Sequence, residues 1–247
     1  MKIHKKASDR IAKNLSNYKK VLKKAYDRDI NESDTVAIIV DMLEDIFGYD
    51  KYDDVTSEYA IKGTFCDLAI KTNGQLKFLI EVKAIGINLK DNHLNQALAY
   101  GAKEGLDWVI LTNAVIWEVY HVIRAPKLEA VLLFKINFLD LTLKQHDQIE
   151  CLYTICKEAQ SVNAISELNE KLNILNKHMV SAIITEDTVV NAIRLAINKI
   201  SNIKATNEEI YDIVFNDVIK RDIIEDEAYK KAKSKIKRVK NKTNKEA

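Results

Sequence analysis

Residues 64–85 read TFCDLAIKTNGQLKFLIEVKAI. Two apolar runs, Phe65-Cys66-Asp67-Leu68-Ala69-Ile70 and Leu76 to Ile85, flank an Asn73-Gly74 pair. Asn-Gly between apolar runs is the strongest short-range hairpin signal, because both central positions of a type I′ turn need positive φ. The second run alternates Phe78, Ile80 and Val82 with Leu79, Glu81 and Lys83, so Glu81 and Lys83 share one face of the strand. An apolar run leading into Glu-Val-Lys predicts a mostly buried central strand whose charged pair emerges where the sheet meets solvent or a ligand. The hairpin lays the Asp67 strand alongside. Two carboxylates and a lysine can therefore converge near one point.

Outward from the hairpin, Thr56 to Ile61 predicts a preceding strand joined by a Lys62-Gly63 turn. Residues 8–28 space Ile11, Leu15, Tyr18, Val21 or Leu22, and Ala25 as one face of a helix with lysines on the others. Asn31-Glu-Ser-Asp-Thr35 offers N-cap residues for a second helix over about 34–47, closed at Gly48. Downstream, Leu89 to Lys103 returns to helical spacing and ends near Gly105, and Trp108 to Thr112 and Ile116 to Val122 read as two more strands. Strand signals fade after Phe138. Residues 141–229 read as helices broken near Ser161, Thr185 and Ala205, and the stretch from Tyr229 as a helix extension or a disordered tail. Ile165, Leu168, Leu172, Leu175 and Met179 keep a 3-4-3-4 spacing, too short for a coiled coil and read as bundle core over a dimer seam.

The domain plan is thus a basic amphipathic helix (1–30), an α/β core (31–140), a helical C-terminal region (141–229) and a basic tail (230–247). A chain of 247 residues with 47% hydrophobic and 30% charged residues, one Pro and six Gly is globular, and collagen-like, disordered and disulfide-scaffold classes are excluded. The three cysteines, Cys66, Cys151 and Cys156, lack metal or disulfide spacing and read as free thiols. The five histidines show no ligand spacing either. No apolar run is long enough to span a bilayer and the N-terminus is polar and lysine-rich, so the protein is expected to be cytoplasmic, without membrane contact.

Net charge is +2, unevenly spread. Residues 1–28 carry ten Lys/Arg against Asp9 and Asp27, and residues 230–247 carry nine against Glu246. The middle holds nineteen cations against 33 carboxylates, a net of −14. Basic ends on an acidic body suggest a polyanion held by the ends.

Paired carboxylates suit a hard divalent cation such as Mg2+, which keeps several waters and bridges to phosphate. A cross-strand salt bridge, Lys83 satisfying Asp67 or Glu81, would explain the same residues without chemistry. The order Asp67, Glu81-Val82-Lys83, Gln96-Ala-Leu-Ala-Tyr100 resembles the PD-(D/E)xK nuclease superfamily in its form with a Gln-x-x-x-Tyr motif. It is most similar to the N-terminal nuclease domain of type I restriction endonuclease R subunits. The likeness runs from about Asn31 to Tyr120 and includes Glu32-Ser-Asp-Thr35, Gly48-Tyr-Asp50, Ile80-Glu-Val-Lys-Ala84 and Val109 to Tyr120. The resemblance implies a restriction-endonuclease-like mixed sheet flanked by helices and Mg2+-dependent hydrolysis of DNA, with Mn2+ as a substitute. It further implies Asp67 and Glu81 as metal ligands, Lys83 as the catalytic lysine, Glu32 as a completing catalytic glutamate, and Gln96 and Tyr100 at the substrate. Glu32 also has a plainer role in prospect, capping its helix beside Ser33 and Asp34.

The chain departs from the pattern in having Cys66 where many members have proline, and it holds no phosphate-binding P-loop, so the motor of an R subunit is absent. Nothing in residues 141–247 shares the likeness, and this region could instead form a homodimer or dock a helical partner. Two functions follow as expectations: a metal-dependent DNA endonuclease, or a non-catalytic nucleic-acid-binding or regulatory module on the same fold.

Overall fold

The structure is a computed structural model that describes residues 1–61, 63–200 and 204–246, with side chains as far as Asn241. Lys62, in the predicted Lys62-Gly63 turn, lies outside the described residues. The chain divides into two compact units, Met1–Asn169 and Glu170–Ala247.

In the first unit, α1 (Lys5–Asp27) and α2 (Glu32–Asp45) precede the strands β1 (Val55–Ile61), β2 (Thr64–Thr72) and β3 (Gln75–Val82). The helix α3 (Asp91–Glu104) leads to β4 (Trp108–Thr112), β5 (Ile116–Ile123) and β6 (Glu129–Asn137). These six strands form one mixed sheet in the order β1-β2-β3-β4-β5-β6. Among the described residues only β3 and β4 run parallel, and α3 is the crossover that a parallel pair requires. The protein is therefore α/β, as expected, with a helical C-terminal region.

Both sheet faces are covered, which explains the unbroken Phe78-Leu79-Ile80 run. On one face Phe78, Ile80 and Val82 join Ile11, Leu15 and Leu22 of α1, Ile39 and Met42 of α2, and Trp117 in the main core. On the other, Leu79 packs with Ala69 and Tyr100, and Val109 and Val122 pack with Ala97 and Leu98 of α3. Burying each such side chain contributes about 1.5–3 kcal/mol.

The helices α4 (His146–Thr154) and α5 (Lys157–Gln160), and the start of α6 (Ala164–Ile174), share the main core through Ile149, Leu152, Ala159, Ile165 and Leu168. The α/β unit thus extends past the expected boundary at 140. The sixth strand is unmarked in the sequence because its alternation is broken: the β5/β6 register shifts between Val119 and Tyr120, an irregularity in the ladder that upsets a period-2 pattern.

The second unit continues α6 and holds α7 (Lys177–Ile184), α8 (Asp187–Ile200), α9 (Asn207–Ile213), a π-helical turn at Val214–Val218, α10 (Arg221–Ile224) and α11 (Glu227–Glu246). The basic tail is helical within α11. The 3-4-3-4 segment does not lie on one helix. Asn176 caps α7 by accepting from Met179 N at 3.0 Å, and this cap competes with helix continuation. Ile165 and Leu168 are core, Met179 lies in a second cluster, and Leu172 and Leu175 are exposed. No helix among the described residues is long and apolar enough to cross a membrane.

Candidate active site

The Asn73-Gly74 turn forms as the sequence demands, with φ of +51° and +75° and Thr72 opposite Gln75. Carried unchanged along the hairpin, that register would set Asp67 level with apolar Ile80. A shift between Ile70 and Lys71 intervenes, after which Leu68 stands opposite Ile80. One step further along the shifted register, Asp67 is level with Glu81. The bulge thereby assembles the two acids, since a one-residue slip changes which side chains stand together.

Asp67 Oδ2 accepts from Val82 N–H at 2.7 Å, which pins its carboxylate to the end of β3. Burial holds its pKa above the ordinary aspartate range, although the Val82 bond and Lys83 oppose the shift. Glu81 is 1% exposed. Its Oε1 accepts from Lys83 Nζ at 2.7 Å, whereas its buried Oε2 has no hydrogen-bond partner among the described residues. Burial, with repulsion from Asp67 and Glu32, pushes the carboxyl up to about 7 against the pull of Lys83. Buried glutamate Glu118 offers a contrast, with Tyr120 Oη at 2.7 Å on one oxygen and Lys135 Nζ at 2.8 Å on the other. An orphaned buried carboxylate oxygen costs about 1–3 kcal/mol or more, so it calls for an explanation.

Lys83 Nζ also lies 3.7 Å from Glu32 Oε2. Burial lowers the lysine's pKa, but Glu81, Glu32 and Asp67 outweigh it and the ammonium stays charged. Glu32 is not the cap of α2. That role falls to Asn31, whose side chain accepts from Asp34 N at 2.9 Å, so Glu32 is left to reach across to Lys83. The strand end is further clamped by Lys83 N–H donating to Thr112 O at 2.9 Å and by Ile85 N–H donating to Thr35 Oγ1 at 3.1 Å. Asn113 Nδ2 donates to Ile85 O and Ile87 O.

Gln96 and Tyr100 do share a face of α3, with Gln96 Nε2 donating to Tyr100 Oη at 3.2 Å. Tyr100 packs with Leu79, two residues before Glu81. Among the described residues no hydrogen bond joins either to the acids. His93 is engaged by its own helix start, accepting from Lys90 N at 3.4 Å.

Sequence reasoning misses Glu58. A cavity of about 420 Å³ is lined by Glu32, Ser33, Val36, Ser57, Glu58 and Asp67. Glu58 falls between the Ser57/Leu68 and Tyr59/Cys66 pairs, level with Asp67, at φ +49°. A non-glycine residue in the left-handed region of a strand is strained, and such strain gathers at functional sites. Nothing in the local pattern signals that dihedral.

Among the described residues no group of three or more His, Cys, Asp and Glu is placed to hold a metal, which argues against a cation caged wholly by protein. A hard cation that takes one or two carboxylates and completes its shell with water and phosphate fits Asp67 and Glu81, and Glu81 Oε2 is the atom in need of a partner. No family model, curated protein or solved structure matches this chain.

Proposed function

We propose that this protein is a divalent-cation-dependent deoxyribonuclease of PD-(D/E)xK type, acting in the cytoplasm on DNA. The observation that carries the reading is the buried Glu81 with an unpartnered oxygen, level with Asp67 and bonded to Lys83. The lysine satisfies one oxygen of that carboxylate, and a cation would supply the partner the other lacks.

Asp67 and Glu81 would hold Mg2+, or Mn2+ in its place. When bound, the cation would neutralise charge developing on the scissile phosphate and lower the pKa of an attacking water. Lys83, kept cationic by Glu81 and Glu32, would supply a fixed positive charge to the phosphoryl oxygens. Val82 N–H holds Asp67 in one orientation. Glu32 Oε2, 3.7 Å from the same ammonium, helps to hold it in place. Gln96 and Tyr100 would offer an amide and a hydroxyl to the DNA at the edge of the site.

Lys83 already engages Glu81 at 2.7 Å, and this favours a second reading, a non-catalytic DNA-binding or regulatory module. Plasmid digestion separates the two. Wild type should nick or linearise plasmid with Mg2+ or Mn2+ and not with EDTA, and Lys83→Ala should be inactive. DNA binding without cleavage under every cation would favour the second reading.

A further inference from the structure

We propose that the outward face of α1 is the docking surface for the sugar-phosphate backbone of the DNA duplex, with its C-terminal end toward the loop that follows Lys83. The identity of its polyanion rests on the nuclease reading. The surface itself rests on α1. This helix buries Ala7, Ile11, Leu15, Tyr18, Leu22 and Ala25 against the core. At about 100° per residue, the opposite side carries Lys6, Lys13, Lys20 and Lys24, all exposed.

None of these four lysines forms an ion pair among the described residues. The cations nearer the core are used differently. Arg10 donates to both oxygens of Glu158 at 2.7 and 2.8 Å and to Ile46 O at 3.0 Å, and Lys19 donates to Leu141 O at 3.0 Å. The helix thus pairs its cations where carboxylates or carbonyls are in reach and leaves a row of four outside any ion pair among the described residues, outnumbering Asp9 and Asp27 on the same face. The row from Lys6 to Lys24 spans about 27 Å at 1.5 Å per residue. A DNA strand presents one phosphate per about 3.4 Å of axis over that distance.

The row also has a direction. Its last member, Lys24, lines with Arg28 a groove of about 440 Å³ between α1 and α2, beside Val21, Ala25 and Asp34. The next residue, Asp29, presses on Gly86 so closely that a Cβ there would lie 2.3 Å from Asp29 Oδ1. Gly86 is three residues past Lys83, and Glu32 opens α2 four residues past Arg28. The C-terminal end of α1 is thereby tied to the loop that follows Lys83 and to the start of α2, whose Glu32 lies 3.7 Å from Lys83 Nζ, while Glu81 is buried on the Leu79 side of β3, away from α1.

The test is fluorescence anisotropy of a labelled 20-base-pair duplex in EDTA, with binding measured against salt concentration. Wild type is compared with Lys13→Gln/Lys20→Gln/Lys24→Gln and with a charge-matched control, Lys77→Gln/Lys127→Gln/Lys144→Gln. At about 0.9 in log-log slope per phosphate contact, the α1 triple should lose about two to three units of slope and roughly 100-fold in affinity near 0.1 M salt. The control should keep the wild-type slope, and the corresponding Lys→Arg triple should retain binding. Equal losses in the α1 and control triples would mean that net charge alone matters and would overturn the proposal. So would an unchanged slope in the α1 triple. Plasmid cleavage with Mg2+ is read separately: a wild type that cleaves while the α1 triple binds normally leaves the nuclease reading standing and this one refuted, and binding lost through α1 in a protein that never cleaves does the reverse.

Discussion

Arg10 with Glu158 and Lys83 with Glu81 are two ion pairs in one unit, withdrawn from solvent to a large degree, and they are built differently. Glu158 has each oxygen on a guanidinium nitrogen. Burial pushes its pKa up, but the Arg10 bonds outweigh this and hold the carboxyl below the usual range. Glu81 has one oxygen on an ammonium and the other without a partner among the described residues, and burial carries it to about 7. A planar fork can satisfy a whole carboxylate, whereas a point charge leaves one oxygen open to another ligand. The Arg10 pair is complete as a fastening between α1 and α5. The Lys83 pair leaves one carboxylate oxygen without a partner among the described residues.

The largest expected effect comes from breaking the second pair. Glu81→Gln and Lys83→Ala should each lower cation-dependent cleavage by about 10²–10³-fold, and Glu158→Ala should leave the rate per folded molecule near wild type. Single-turnover plasmid assays read both. Next in size, Glu158→Ala leaves Arg10 uncompensated and should cost about 1–3 kcal/mol in urea unfolding. The figure lies below that for a fully buried pair because both side chains keep nearly a fifth of their surface, 19% and 18%.

A pH series sharpens the contrast, because the two glutamates respond with opposite sign. Glu81 titrates higher folded than unfolded. Its contribution to stability is full below the ordinary glutamate pKa and lost as pH rises through about 7. Glu158 titrates lower when folded, so its contribution is present above the ordinary value and lost as pH falls through its folded value. Urea midpoints measured in EDTA from pH 5 to 8 should fall with pH in wild type, and Glu81→Gln should flatten that fall. The smallest effect belongs to Glu58→Gly, which should relieve the positive φ and gain about 0.5–1 kcal/mol in a thermal melt.

Much of this was legible in the residues. The Asn-Gly turn, the buried Phe-Leu-Ile strand and the crossover helix follow from local chemistry, and the acids lie where the hairpin brings them. The register was not legible. Read strictly, a two-residue turn pairs Asp67 with Ile80, and the bulge between Ile70 and Lys71 that corrects this leaves no mark in composition. The same holds for β6, whose alternation the β5/β6 register shift interrupts, and for the 3-4-3-4 segment, which Asn176 divides by capping a new helix. Glu58 was missed because its dihedral is imposed by the strands around it.

The separation along the chain of the groups in the site also sets an order of assembly. Asp67 and Glu81 meet across a tight hairpin, and short loops close quickly at low entropic cost. The β3–β4 pairing must await the whole α3 crossover, and Glu32 comes from a helix that precedes the hairpin. Contacts of long sequence separation form late. The hairpin is therefore expected to bring its two acids together while both are still hydrated and cheap to charge. The unfavourable step, withdrawing Glu81 from water, falls to the moment when β4 and α3 close over it. A cation present during refolding should hasten that closing step and leave the earlier hairpin step untouched.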